Sequence, residues 1–221
     1  MVRRALIERR PWLFASLLVA ISWWAFGDSD YVPGLFKIVW KAAPLSLLAI
    51  YAFQRHLGSD GTILACVMGI AALADGVSEL VYSAAGTLMG FSLLLAIWLY
   101  SRNRRKQLAM SQTGVAAALV LALPVISWFL LPAEDGRILV AGYALLMGIM
   151  AAMAWTSRFS RYRVGMGAMM FVVSELLLFA VSGPVLRGNA WAEWLIYPIY
   201  YSGQLLIATG VVSRLRREAA A

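Results

Sequence analysis

A handful of charged side chains fall inside apolar stretches of the sequence: Lys37 and Lys41 in the second such stretch, Asp75 and Glu79 in the third, Glu175 in the seventh. An acid or base at the centre of a bilayer costs ~2.5–3.5 kcal/mol on insertion scales, so such groups persist when they pair or when they line a wet cavity with a function. Lys37 sits near the start of its stretch and can snorkel to water. Lys41 lies a turn deeper. Glu175 stands among Leu176, Leu177 and Leu178 and enters as a candidate proton donor, with Asp75 as a second carboxyl group. A proton-carrying acid beside an ionised one is the pairing that general acid–base chemistry uses. Tyr200, Tyr201 and Gln204 in the last stretch, Ser174 beside Glu175, and Ser92 in the fourth add hydrogen-bonding groups.

The elements that must position these groups are membrane helices. Of the 221 residues, 62% are hydrophobic and 14% charged, and the mean hydropathy is +0.77. Water cannot wet that much apolar surface on a soluble domain of this size; lipid can. A helix crossing the hydrocarbon core takes ~20 mostly apolar residues. The sequence offers about eight runs: 11–26, 35–53, 62–82, 84–100, 114–131, 138–155, 162–182 and 191–212. The expected fold is an all-α integral membrane bundle in a single transmembrane domain. The run 11–26 follows Arg3, Arg4, Arg9 and Arg10, as a signal peptide would. Its end at Trp23 and Trp24, followed by Asp28, Ser29 and Asp30, lacks a small-residue cleavage site, so it reads as a retained helix.

Charge orients the bundle. Most of the 19 basic residues cluster at the N-terminus, at Arg55, at Arg102 to Lys106, at Arg158 to Arg163 and at Arg214 to Arg217. The alternate loops hold Asp28, Asp30, Glu134 and Asp135 with only Arg137 and Arg187. The positive-inside rule then places both termini in the cytoplasm, and the net charge of +8 is mostly topology. The basic loops read as contacts to lipid headgroups; nothing points to nucleic acid.

Depth follows from that orientation at about 1.5 Å per residue. Lys41 lies ~9 Å below the outer end of its helix, Asp75 and Glu175 ~10 Å, Ser92 ~12 Å, Tyr200 and Tyr201 ~14–15 Å, and Gln204 ~20 Å. Polar groups from several helices thus share one layer under the outer face and are expected to surround a small polar cavity open on that side. Asp75 and Glu79, four residues apart, share a helix face, with Glu79 only ~4–5 Å down and at the rim. An ion pair between Lys41 and Asp75 joining the second and third helices is the structural alternative. Trp191, Trp194 and Tyr197 read as interface anchors, Pro44 and Pro198 as helix bends, and Gly142, Gly148, Gly165 and Gly167 as sites of close helix packing. Cys66 and His56 are single residues of their kind. No His/Cys ligand cluster and no Gly-rich phosphate loop occurs, so no metal and no nucleotide cofactor is expected.

These residues also carry a resemblance. Phe36-Lys37-x-x-x-Lys41-x-x-Pro44 opens one helix, Asp75-Gly76 closes the next, and Gly86 opens the one after. Ser174-Glu175 and Tyr200-Tyr201-x-Gly203-Gln204 follow in order. Together they resemble the YhhN/TMEM86 family, the lysoplasmalogenases, from about residue 35 to 212. The chain departs from that family's pattern at Ser92, where a His is usual, at Glu175, where Asp or Asn is usual, and at Ala74, where Gly is usual. The resemblance implies hydrolysis of the vinyl-ether bond of a lysophospholipid substrate, giving a fatty aldehyde and a glycerophospho-headgroup, without a cofactor. It implies catalytic roles for Asp75 and Glu175. Substrate contacts fall to Lys41, Glu79, Ser92, Ser174, Tyr200, Tyr201 and Gln204. A bacterial inner membrane, with the cavity toward the periplasmic leaflet, is the implied location. Two other readings remain open: a transporter using an intramembrane acid–base cluster, and an inactive relative in which the polar layer only sets helix register.

Overall fold

A computed structural model describes residues 11–27, 32–55, 58–131 and 136–220. Arg3, Arg4, Arg9, Arg10, Asp28, Ser29, Asp30, His56, Glu134 and Asp135 lie outside the described residues. Among the described residues the fold is all-helical: α1 Pro11–Phe26, α2 Gly34–Gln54, α3 Ser59–Val77, α4 Tyr82–Arg102, α5 Met110–Leu130, α6 Arg137–Thr156, α7 Met166–Ser182 and α8 Ala190–Ala219. A π-helical turn, Arg161–Gly165, leads directly into α7.

Seven of these helices, counting the π-helical turn with α7, are long and apolar enough to cross a membrane. The expected 84–100 run is the 21-residue α4. The first helix is apolar but has only 16 residues, about 24 Å of rise against a hydrocarbon core of about 30 Å. Lipid is written on the outward faces as well. Phe129 is 74% exposed, Leu121 71% and Leu139 76%, an apolar surface that a soluble monomer does not present on this scale.

The chain forms two compact units, one from the described residues up to Leu95 with the chain end from Leu215, the other Ala96–Arg214. In the first, α2 packs between α1 and α3. Trp23 meets Trp40 edge to face at 5.7 Å, and the buried Ser16 hydroxyl donates to the Pro44 carbonyl at 2.7 Å. The helices α2 and α3 approach at Gly76, where a Cβ would lie 3.2 Å from the Ile38 oxygen and 3.3 Å from the Ala42 Cβ. Helix α3 ends at Val77, short of the expected 82. The Ser78 hydroxyl takes up the Asp75 carbonyl at 2.6 Å, and the next amides reach back to Gly76 and Val77 in a turn. Glu79 is therefore in that turn, and the helix face expected to carry it with Asp75 does not extend so far.

In the second unit, α5 pairs with α6, and α6 and α7 pack together with the π-helical turn. Small residues set the spacing, as expected for helices in lipid, where packing replaces the hydrophobic effect. A Cβ on Gly148 would lie 2.7 Å from the Leu119 oxygen, and one on Gly167 2.6 Å from the Gly203 oxygen. Gly142, expected to serve likewise, faces open space; its position on the helix turns it outward, which the residue type alone does not reveal. Both α2 and α8 run unbroken through Pro44 and Pro198.

One end of this unit is braced by a short antiparallel bridge between Arg104 and Ser157. The Arg158 amide donates to the Asn103 carbonyl at 2.7 Å, and the Arg158 Nε donates to the Asn103 side-chain oxygen at 2.6 Å. The Asn103 amide in turn donates to the Leu99 carbonyl at 2.9 Å. Asn103 is 1% exposed, so Asn103→Ala strands the carbonyl of the buried Leu99 and frees Arg158, and it is expected to cost ~1–3 kcal/mol of stability. Thermal unfolding in detergent measures it; an unchanged midpoint would show the brace to be dispensable.

Candidate functional site

The first unit places Lys41, Glu79 and Asp75 near the junction of α2 and α3. Gly76 admits α2 to close range, and the Lys41 Nζ and Glu79 Oε1 meet at 2.5 Å. The same ammonium stands 5.7 Å from the Trp23 ring centroid, on its face, a geometry in which the ring's quadrupole attracts the cation. The ion pair that ties α2 to the end of α3 is thus made by Glu79, whereas the alternative reading of the sequence had offered Asp75 as the partner. The reason is the early end of α3. The turn brings Glu79 to where the lysine emerges, and a pair near the surface avoids most of the desolvation cost that a deeper one carries. The side chains are 24% and 27% exposed. A double-mutant cycle with Lys41→Met and Glu79→Gln is therefore expected to give a coupling of only ~0–1 kcal/mol. A much larger value would mean that the pair works in a dry environment.

Asp75 is 9% exposed, on the last turns of α3. Ser92 is 3% exposed, and its hydroxyl donates to the Val67 carbonyl at 2.9 Å. That hydrogen bond ties α4 to α3, so the Ser92 proton serves helix packing.

The second unit gathers Glu175, Ser174, Tyr200, Tyr201 and Gln204 on α7 and α8. The mutual approach of Gly167 and Gly203 brings these two helices together. Glu175 Oε2 accepts a hydrogen bond from the Tyr143 hydroxyl of α6 at 3.1 Å, and the Tyr143 ring packs edge-on against Phe179 at 6.2 Å. Sequence reasoning missed Tyr143. Its depth, ~8 Å below the start of the expected sixth run, is close to that of Glu175 and was the signal available. Ser174 is buried, and its hydroxyl donates to the Phe171 carbonyl at 2.7 Å, a local helix contact. Tyr200 and Tyr201 are buried. The Tyr200 ring lies 6.0 Å from Phe171, and Tyr201 stacks on Tyr197 at 6.4 Å with an interplanar angle of 15°. Tyr197 was expected as an interface anchor beside Trp191 and Trp194. Trp191 is exposed in that way, but Tyr197 joins the tyrosine stack instead. Gln204, one turn from Tyr200, is 6% exposed.

Chemically, each unit carries a carboxyl group within a membrane helix. Asp75 lies on the last turns of α3; Glu175 accepts a hydrogen bond from a phenol at one of its two carboxyl oxygens. No curated protein and no solved structure matches the chain. The model of the YhhN family matches residues 36–211, a stretch that takes in Lys41, Asp75, Ser92, Glu175 and Gln204. On that match the chain belongs to the YhhN family.

Proposed function

We propose that the protein is a membrane-embedded hydrolase that cleaves the vinyl-ether bond of lysoplasmalogen-type lipids. The observation that carries this reading is membership of the YhhN family, which includes lysoplasmalogenases. The side-chain chemistry agrees with it. Vinyl-ether hydrolysis begins with a proton delivered to the outer vinyl carbon, which leaves an oxocarbenium ion. Water adds to that ion and loses a proton, and the resulting hemiacetal collapses to a fatty aldehyde and the glycerophospho-alcohol. The reaction needs a proton donor, a carboxylate to stabilise the cation and steer water, and shelter from bulk solvent. Paired carboxyl groups meet the same need in glycoside hydrolysis, whose transition state is also oxocarbenium-like. Glu175, held by Tyr143, and Asp75 are the intramembrane carboxyl groups that the sequence offers for this chemistry. Lys41 is the candidate contact for the substrate phosphate, and Tyr200, Tyr201 and Gln204 for the glycerol or the water. The basic clusters put both termini in the cytoplasm, which sets the chemistry toward the outer leaflet, in a bacterial inner membrane.

The test is aldehyde release from a defined lysoplasmalogen by the purified protein in detergent, beside the ester-linked lysolipid of the same headgroup. Aldehyde from the vinyl ether is the expected result. A well-folded protein that releases none removes this substrate class.

A further inference from the structure

At the braced end of the Ala96–Arg214 unit, arginines from three separate segments come together. Arg105, in the connection after α4, donates from Nε to the Ser157 carbonyl at 2.7 Å and from Nη2 to the Phe159 carbonyl at 3.2 Å. Two residues beyond Phe159, Arg161 opens the π-helical turn. With the Gln112 amide oriented so that its oxygen faces this arginine, both Arg161 Nη1 and Nη2 donate to it at 3.1 Å. Gln112 is 8% exposed, so a buried amide anchors that guanidinium. The third segment is the end of α8. A Cβ on Gly210 would lie 2.7 Å from Val164 and 2.9 Å from the Arg163 Cβ, and Arg163 Nη1 donates to the Ser213 hydroxyl at 3.3 Å. The π-helical turn therefore rests directly on α8. Arg214, four residues after Gly210, continues the same helix face.

We propose that Arg105, Arg161 and Arg214 form a binding site for the phosphate of an anionic phospholipid. Guanidinium forks match phosphate oxygens in pairs. Arg105 and Arg161 are already held by the protein's own hydrogen bonds, so little side-chain freedom is lost when an anion arrives. The like charges also act on one another. Burial first, then Arg161 and Arg214, hold the Arg105 pKa below its ordinary value, and an anion between the three groups relieves that repulsion. The position favours a lipid over a soluble ion, because these arginines lie where apolar helices end and headgroups begin, and basic pockets there bind anionic headgroups. This site is separate from the carboxyl groups of the proposed reaction and does not depend on that reading.

The test titrates phosphatidylglycerol into the full-length protein in neutral detergent and reads the thermal unfolding midpoint. Saturable stabilisation is expected. R161Q/R214Q, which leaves the Arg105 brace in place, should weaken the apparent affinity about 30-fold. R102Q/R104Q removes the same charge from exposed positions nearby and should change it less than about 3-fold. R161K/R214K keeps the charges without the forks and should fall between, and it remains informative if the glutamine pair unfolds. Equal losses from the two glutamine pairs, or full affinity in the lysine pair, would overturn the site in favour of diffuse membrane electrostatics. A parallel titration with inorganic phosphate separates the sources: stabilisation by phosphate with no response to the lipid would overturn the lipid assignment.

Discussion

Asp75→Asn is expected to lower aldehyde release from a lysoplasmalogen by at least about 100-fold, the scale on which a positioned acid or base acts. Asparagine keeps the shape and hydrogen-bonding reach of the side chain but can neither hold a negative charge nor carry the proton. At 9% exposure on a helix inside the membrane, the neutral amide is no worse tolerated than the acid, so the variant should unfold at the same temperature or higher. Loss of turnover with an intact fold then belongs to the chemistry. Glu175→Gln is the matching variant on α7 and should lose activity on the same scale. Tyr143→Phe should lose less, since it removes the group that orients the carboxyl and leaves the carboxyl in place. Full turnover in well-folded Asp75→Asn would take that residue out of the mechanism.

A marked loss of stability is expected from Gly167→Ala. Its new Cβ would lie 2.6 Å from the Gly203 carbonyl oxygen and 3.1 Å from the Ile207 nitrogen. Both are backbone atoms that cannot rotate aside, so α7 and α8 must separate. Overpacking of this kind costs ~1–3 kcal/mol, enough to be read as a lowered unfolding midpoint. The separation also moves Ser174 and Glu175 relative to Tyr200 and Tyr201, so activity should fall with stability. Gly203→Ala makes the reciprocal clash, 2.7 Å from the Gly167 oxygen, and should behave alike. Gly142→Ala is the control. It meets nothing within 4 Å and should be neutral, or stabilising by ~0.5–1 kcal/mol through helix propensity. A Gly167→Ala midpoint equal to that of Gly142→Ala would refute the close crossing.

Seven of the helices were legible because they are long. A run of about 20 apolar residues has few uses other than a membrane crossing, and hydropathy alone marks it. Helix ends were less legible. Leu80, Val81 and Tyr82 follow soon after Val77, so composition carried the expected third run on to 82, while the Ser78 side chain closes the helix through a local bond that hydropathy does not register. Partner choice was not legible at all. The expected layer of polar residues followed from depth along each helix, and depth says nothing of rotation about the helix axis. Rotation gave Glu175 its phenol from Tyr143, and the early end of α3 turned Glu79 toward Lys41.

By itself, then, the sequence determined that the chain is helical and built for lipid, which residues are too polar for their depth, and, through the order of its short motifs, the family. Only the tertiary structure decided which glycines carry a helix crossing and which face lipid, and that Ser92 and Ser174 spend their hydroxyl protons on backbone carbonyls. It also decided that arginines far apart in the chain gather at one end of a unit. The physical reason is common to these cases. Hydropathy is a property of single residues and survives in the linear order, whereas a hydrogen bond or a close approach depends on the rotation and spacing of two helices, which the packing of their whole surfaces decides.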